Sequence, residues 1–370
     1  MKNVLHVIDT TGPGGAETIF VELATGLDPQ RWHSVTAVPG PGWVHDRLVE
    51  RGHEPNITRL HGAFDLRYLG TLHSLVRQHR IDLIQTHLLT AAVYGSLAGL
   101  LCRVPVVCTF HGEPDVDRND RYRRAKFWIL SRGATQVVFV SESLRCGFLA
   151  SGSLHSDRTT VITNGIDHFL FVPGSDMSLR DELRVGDGQV LVGAVGNLRP
   201  AKAYDVFLKA AALLQRHSTA YRFVIVGEVG GPLHAELVAL RDALGLAETV
   251  TFVGFRTAVH RVLRGLDVCL STSSMEGFSL SIVEAMACGV PVVATRSGGP
   301  AEIITHDLDG LLVEVASPEQ IAQAVERLRL EPETRARFAS EGRKLVEARF
   351  TRDQMLRSYE GLYDRCIRRE

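Results

Sequence analysis

The sequence predicts an α/β protein of two domains, each a parallel sheet covered by helices on both faces. Three observations carry this. Short apolar runs alternate with longer amphipathic stretches along the whole chain, the pattern of strand–helix–strand units. The pattern restarts near Pro173 after a polar connection, with a new strand, a glycine-containing loop and a helix. At 370 residues and 45% hydrophobic composition, the chain is long enough for two full cores.

Residues 3–8, Asn-Val-Leu-His-Val-Ile, read as a buried strand, and the loop Asp9-Thr-Thr-Gly12-Pro-Gly14-Gly15-Ala-Glu17 leads into a helix that runs to Leu27. Glycines between a strand and a helix let the backbone approach a ligand at the helix N-terminus, or simply form a tight turn. The spacing is not G-x-G-x-x-G, so no dinucleotide fingerprint is expected. Residues 34–38, 82–86, 104–110 and 136–140 are strand-like. In a parallel sheet of this kind ligands bind beyond the carboxyl ends of the strands. His111 stands at that end, after Pro105-Val-Val-Cys-Thr-Phe110 and before Gly112, which makes it a candidate functional histidine. His87 follows residues 82–86 at a similar level; it either lines an acceptor side or is a hydrogen-bonded structural residue.

Residues 117–130 mix five cations with aromatics on an expected helix. One reading is a solvated basic face opposite an apolar face on the core. The other is a peripheral membrane contact through residues 118–130, from Arg118 to Leu130, on anionic headgroups. Asp115-Val-Asp117 and Asp307-Leu-Asp309 both spell D-x-D, but twenty aspartates in this length produce about one such match by chance. No metal site is expected from them.

Val161-Ile-Thr-Asn164-Gly165-Ile-Asp167 closes the first half, and the polar connection after Phe171-Val-Pro173-Gly174 sets the domain boundary. The expected division is an N-terminal domain over 1–172, a C-terminal domain over 173–349 and a terminal helix over 350–370. The second domain opens with a strand over 190–195. Its loop, Gly196-Asn197-Leu198-Arg199-Pro200-Ala201-Lys202, leads into a helix from about Tyr204. Cations in such a loop can neutralise a diphosphate. Residues 221–227, 249–253 and 266–270 are further strands, with Gly254 and Phe255 at one strand end. Ser317-Pro-Glu-Gln320 has capping-box spacing, and from there to Arg369 the pattern is helical. The stretch from Phe350 through Leu356, Tyr359, Leu362, Tyr363 and Ile367 has amphipathic spacing.

The chain is organised around Thr272-Ser-Ser-Met-Glu276-Gly277-Phe278-Ser279-Leu280-Ser-Ile-Val-Glu284-Ala-Met-Ala-Cys-Gly289-Val-Pro291-Val-Val-Ala294, a loop, helix and strand. Leu280, Ile282, Val283, Met286 and Ala287 leave the helix almost no polar face, so Glu284 is a carboxylate among apolar neighbours. Buried without a partner it would cost several kcal/mol. It therefore meets either an internal Arg or Lys or a ligand with paired hydroxyls such as a ribose. The N–H groups of Gly277, Phe278, Ser279 and Leu280, beside Glu276, are read as opening the helix and cradling an anion or hydroxyl.

This glutamate pair with Ala-Cys-Gly-Val-Pro-Val-Val-Ala-Thr resembles the donor site of the retaining glycosyl transferases group 1. The Gly14-Gly15 loop, His111-Gly, Asn-Gly-Ile-Asp and the Lys202 loop appear in family order. The resemblance implies the GT-B architecture: two Rossmann-like domains facing across a cleft, with a C-terminal helix crossing back to the first. It implies a nucleotide-sugar donor whose ribose is held by Glu284 and whose transferred sugar meets Glu276 and His111. Backbone groups of Gly277, Phe278, Ser279 and Leu280 would serve sugar and phosphate, and Gly254 and Phe255 would flank the base. Gly14 and Gly15 would lie beside donor phosphates or acceptor. Lys202 matches the family lysine, while Asn197 stands where arginine is common and Ala203 where glycine is; Arg199 is the alternative cation. The expected catalytic residues are His111, Glu276 and Lys202. The expected activity is retaining, metal-independent transfer of a hexose-type sugar, with UDP preferred on family frequency, to a glycan, lipid-linked or small-molecule hydroxyl, as in polysaccharide biosynthesis. A sugar-nucleotide epimerase and a non-catalytic nucleotide-sugar-binding scaffold are the alternatives.

Formal net charge is −1 and mean hydropathy is near zero, which argues against a nucleic-acid partner. The six cysteines form no C-x-x-C pair and read as reduced core residues. Met1-Lys-Asn-Val-Leu-His-Val-Ile-Asp enters a strand directly, without signal-peptide features, so a cytoplasmic protein is expected, peripheral at the inner membrane face if the basic helix touches lipid.

Overall fold

The computed structural model describes residues 1–62, 64–112, 122–150, 152 and 154–368. The chain divides into two units, Met1–Gly165 together with Arg352–Glu370, and Ile166–Thr351.

The first unit runs β1 (Lys2–Val7), α1 (Gly15–Gly26), β2 (Trp32–Val38), α2 (Trp43–Glu50), β3 (Asn56–Ile57), α3 (Leu66–Gln78), β4 (Leu83–His87), α4 (Leu89–Cys102), β5 (Val106–Phe110), α5 (Arg123–Gly133), β6 (Gln136–Phe139), α6 (Glu142–Ala150) and β7 (Thr159–Val161). Its strands form one parallel sheet in the order β3-β2-β1-β4-β5-β6-β7. Every residue of β4, β5 and β6 is buried, as expected of central strands with helices on both faces. The two edge strands β3 and β7 are too short to leave a periodic signal in the sequence.

The second unit runs α7 (Ser178–Glu182), β8 (Val190–Val195), α8 (Tyr204–His217), β9 (Tyr221–Val226), α9 (Gly231–Ala243), β10 (Val250–Val253), α10 (Val259–Arg264), β11 (Val268–Ser271), α11 (Leu280–Ala287), β12 (Val292–Thr295), α12 (Pro300–Ile303), β13 (Leu311–Val313), α13 (Pro318–Leu330) and α14 (Pro332–Arg349). Its sheet is also parallel, ordered β10-β9-β8-β11-β12-β13. Phe207, Phe223, Ile225, Leu270 and Val293 belong to one buried cluster between this sheet and its helices.

The helical tail is three helices. Glu331 lies between α13 and α14, and Pro332, which has no N–H to donate, opens α14. The Ser317 capping box does not form: Ser317 makes no side-chain cap bond, and Gln320 Oε1 instead accepts the Glu314 N–H at 3.0 Å. The last helix, α15 (Arg352–Arg368), packs in the first unit. Tyr359 and Tyr363 are fully buried there, Tyr363 edge-on to Trp32 with ring centroids 5.6 Å apart. Glu360 accepts the Asp28 N–H at 2.8 Å and pairs with Arg31 at 2.9 Å. No helix among the described residues is long and apolar enough to cross a membrane.

Candidate active site

In the second unit the loops after β8, β10, β11 and β12 share one end of the parallel sheet, where such sheets bind ligands. The loop after β8 ends in a single 3-10 turn, Pro200–Lys202. Ala203 then adopts φ +49° and ψ +49°, the left-handed conformation that glycine tolerates and a Cβ resists. That geometry explains why glycine is the more usual residue at this position in the resembled pattern.

The loop after β11 is laced to it. Thr272 Oγ1 donates to the carbonyls of Lys202 and Ala203 at 2.9 and 3.1 Å, and the Ser274 N–H donates to Ala201 at 2.8 Å. These bonds bring Lys202 and Glu276 together: Nζ lies 2.6 Å from Oε2, and Ser273 Oγ donates to the same oxygen at 3.1 Å. Arg199 is exposed and makes no side-chain hydrogen bond or ion pair among the described residues. Of the two loop cations, Arg199 is the unengaged one. Asn197, partly buried, precedes it.

Glu276 is itself clamped by backbone. Its N–H donates to Ser297 at 2.8 Å, and its carbonyl accepts the Gly299 N–H at 2.9 Å. A Cβ on Gly299 would meet the Gly277 carbonyl oxygen at 2.5 Å, so the close approach admits only glycine. The first full turn of α11 closes with the Val283 N–H on the Ser279 carbonyl at 3.3 Å. The N–H groups that open the helix are therefore those of Ser279, Leu280, Ser281 and Ile282, later than the expected set. Gly277 and Phe278 belong to the preceding loop, and the Phe278 ring is buried edge-on against Phe350, leaving only its backbone for a ligand.

Glu284 lies one turn into α11, partly buried. Its side chain has no hydrogen-bond or ion-pair partner among the described residues, so the internal-cation explanation fails within them. Burial alone pushes its carboxyl up to about 7. Its electrostatic neighbours are Cys269 and Cys288, whose thiols burial holds near 12 and therefore neutral. At the end of β10, Phe255 is 41% exposed beside Gly254, an apolar surface open to a flat ring.

In the first unit, Gly14 leads α1, and a Cβ there would lie 2.3 Å from Glu17 Oε2. The glycine makes room for a carboxylate of its own helix, which also accepts from Thr10 Oγ1 at 2.7 Å. Asp9, just after β1, has its carboxyl raised by burial, against hydrogen bonds from Thr90 and the Ala91 N–H, with Glu17 adding to the rise. Two carboxylates beside the Gly14-Gly15 turn suit hydroxyl donors rather than phosphate. Asp9 and Glu17 escaped the sequence reading; the available signal was the position of Asp9 directly after the first strand.

His111 follows β5 and is partly buried; burial pushes its imidazole down to about 3. His87 exposes no surface, so it does not line an acceptor site. Its Nδ1 lies 2.9 Å from His111 Nε2. Of the basic stretch, residues 123–130 lie on α5, with Phe127 and Leu130 buried and Trp128 61% exposed. Asp115, Asp117 and residues 118–121 lie outside the described residues. The cysteines form no disulfide among the described residues, and no three His, Cys, Asp or Glu side chains among them are grouped to hold a metal ion.

Comparison with known proteins matches these two halves separately. Residues 13–170 fit the model for Glycosyltransferase Family 4, and residues 175–345 that for Glycosyl transferases group 1. The D-inositol 3-phosphate glycosyltransferase of Segniliparus rotundus is 34% identical over 55% of this chain and 46% of its own length. The chain spans about half the length of such relatives. The putative glycosyltransferase EpsF of Bacillus subtilis is 25% identical over 92% of this chain and 89% of its own. Among solved structures, Anabaena HepE in complex with UDP-glucose superposes with a TM-score of 0.89 at 25% identity, covering 98% of this chain and 100% of that one. Two parallel α/β sheets of the GT-B fold, with the Glycosyltransferase Family 4 model on the first half and the Glycosyl transferases group 1 model on the second, together support a group 1 glycosyltransferase.

Proposed function

We propose that the protein is a retaining glycosyltransferase that moves a hexose-type sugar from a nucleotide-sugar, a UDP-sugar by preference, to an acceptor hydroxyl without a metal ion. The observation that carries this is Glu284, a partly buried carboxylate with no cation partner among the described residues, one turn inside a helix opened by free N–H groups. An ionised carboxylate in that place accepts two ribose hydroxyls. The UDP-glucose complex of HepE supports the choice of donor.

Transfer breaks the bond from the anomeric carbon to the donor phosphate and forms one to the acceptor oxygen. The acceptor proton passes to a phosphate oxygen on the same face. The growing negative charge on the diphosphate requires stabilisation, which Arg199, Lys202 and the α11 N–H groups are equipped to supply. Lys202 is held by Glu276; a diphosphate would share that cation, leaving Glu276 to accept hydrogen bonds from the sugar. In the first unit, Asp9 and Glu17 offer oxygens to an acceptor hydroxyl, and His111 serves a sugar hydroxyl. The exposed Trp128, with Arg132 over its ring at 5.5 Å, supports a lipid-linked acceptor reached through peripheral membrane contact.

Calorimetric titration of UDP, GDP and UDP-glucose in EDTA, on the native chain and on Glu284→Ala, tests the donor site. A hydrogen-bonded charged group contributes ~1.5–3 kcal/mol, so the variant should bind UDP roughly 10- to 100-fold more weakly. Equal affinity in the two proteins, or no binding to either, overturns the assignment.

A further inference from the structure

Beneath His111 lies a line of buried polar groups that ends on the C-terminal helix. The Tyr363 hydroxyl donates to Gln85 Oε1 at 3.1 Å. Gln85 Nε2 lies 3.1 Å from the Thr86 carbonyl, 2.9 Å from Thr109 Oγ1 and 3.3 Å from His87 Nε2. His87 Nδ1 in turn lies 2.9 Å from His111 Nε2, the two rings within 15° of parallel and their centroids 5.1 Å apart, as an in-plane N–H···N bond requires. Thr109 Oγ1 also meets the Tyr359 hydroxyl at 3.1 Å. Gln85, Thr86, His87 and Thr109 expose no surface.

We propose that Gln85 and His87 are positioning residues that fix the tautomer of His111, so that its ring proton sits on Nδ1 and the ring acts beyond His87 only as a hydrogen-bond donor. The direction follows from one group that cannot reverse. A backbone carbonyl only accepts, so the Gln85 atom facing Thr86 must be the amide nitrogen, and the Tyr363 hydroxyl faces the amide oxygen. The two amide hydrogens are shared among three acceptors, and the amide nitrogen offers no lone pair, so an N–H on His87 Nε2 would face it with nothing to donate to; Nε2 is therefore the bare ring nitrogen. Burial keeps His87 neutral, which leaves its proton on Nδ1, pointing at His111 Nε2. His111 Nε2 therefore accepts, and the neutral ring carries its proton on Nδ1. A histidine so arranged is not a proton acceptor toward a sugar; it offers a neutral N–H to a hydroxyl oxygen. This last role rests on the glycosyl-transfer reading, whereas the tautomer does not.

Long-range proton–nitrogen correlation spectra of the whole chain labelled with 15N-histidine test the relay, with His87→Gln and His111→Gln used for assignment. Both rings are expected to be neutral at pH 7.5, each with a protonated Nδ1 and a bare Nε2. A proton on Nε2 of either ring overturns the proposal. Gln85→Leu removes the fixed donor and should shift both rings to mixed tautomers; unchanged nitrogen signals would remove Gln85 from the relay. The same variant should bind UDP as the native chain does while turning over UDP-sugar about tenfold more slowly. Mixed tautomers with unaltered turnover would leave the relay standing and strike at the use of His111 in sugar transfer.

Discussion

Lys202 Nζ donates to Glu276 Oε2 at 2.6 Å, so two residues that the family resemblance assigns to different parts of a donor, diphosphate and sugar, hold each other. The pair is partly exposed, 23% and 19% by side chain, which places its worth at the modest end for ion pairs. On the donor-site reading proposed above, the pair is a preset exchange in which Glu276 holds the cation in place until a phosphate takes it over. Replacing the carboxylate by its neutral isostere frees the lysine's charge for UDP but removes the acceptor for sugar hydroxyls. Glu276→Gln is expected to bind UDP ~2- to 5-fold more tightly while losing transfer, on the ~0.2–1 kcal/mol scale of such pairs. Titration of UDP beside a turnover assay checks both halves; weaker UDP binding would show that Glu276 holds the nucleotide directly.

Glu284 links the site to pH. Burial raises its pKa from the usual 4.5 to about 7 in the folded chain. Between those values the folded protein keeps a proton that the unfolded chain has released, so stability falls as pH rises through this window and levels off above it. The full penalty is on the order of 3 kcal/mol. Thermal melts across pH 4.5 to 8 should therefore show the native chain losing ground relative to Glu284→Gln as pH rises. UDP should reverse the loss, because ribose hydroxyls favour the ionised carboxylate, and its affinity should climb with pH through about 7 and level off above it in the native chain alone. Parallel melting curves for the two proteins would indicate that Glu284 ionises normally.

Ala203 sits at φ +49°, where an L side chain costs roughly 1–2 kcal/mol and glycine adopts the same backbone without that cost. Glycine's greater freedom in the unfolded chain offsets part of the gain. Ala203→Gly should stabilise the second unit by about 0.5–1 kcal/mol, raising its melting temperature by roughly 2 °C. Calorimetric scanning reads this directly; a drop would mean that the Ala203 methyl packing on the core outweighs the strain.

What was legible before the structure were the features that repeat or that are chemically costly. Val190–Val195 reads as a strand residue for residue, since a doubly covered parallel strand is a continuous apolar run. Glu284 stands out because a carboxylate on an apolar helix demands an explanation. Features set by three-dimensional closure were not legible. The two residues of β3 carry no period, the Lys202–Glu276 pair joins positions 74 apart, and the Glu17 carboxylate folded over Gly14 depends on a side-chain direction. His87 stayed open between an acceptor-side and a structural role for the same reason: its place after a strand is visible in the sequence, but the complete burial behind His111 that decides for the hydrogen-bonded structural role is not.

The outer face of α5 gives the last expectation. Phe127 and Leu130 are buried while Arg124 and Trp128 face outward, Trp128 at 61% exposure with the Arg132 guanidinium over its ring. A tryptophan flanked by arginines is suited to the headgroup level of an anionic bilayer, where the ring enters the interface and the cations meet phosphate. Each nearby cation adds about 1 kcal/mol at such a surface and the effect fades with salt. Flotation with vesicles of neutral lipid alone, and with added anionic lipid, should show the chain rising only with the anionic vesicles and sinking again at high salt. Trp128→Ala should cut the bound fraction several-fold while leaving UDP affinity unchanged. Flotation independent of lipid charge, or none at all, would return α5 to a solvated helix face and point to an acceptor met in solution.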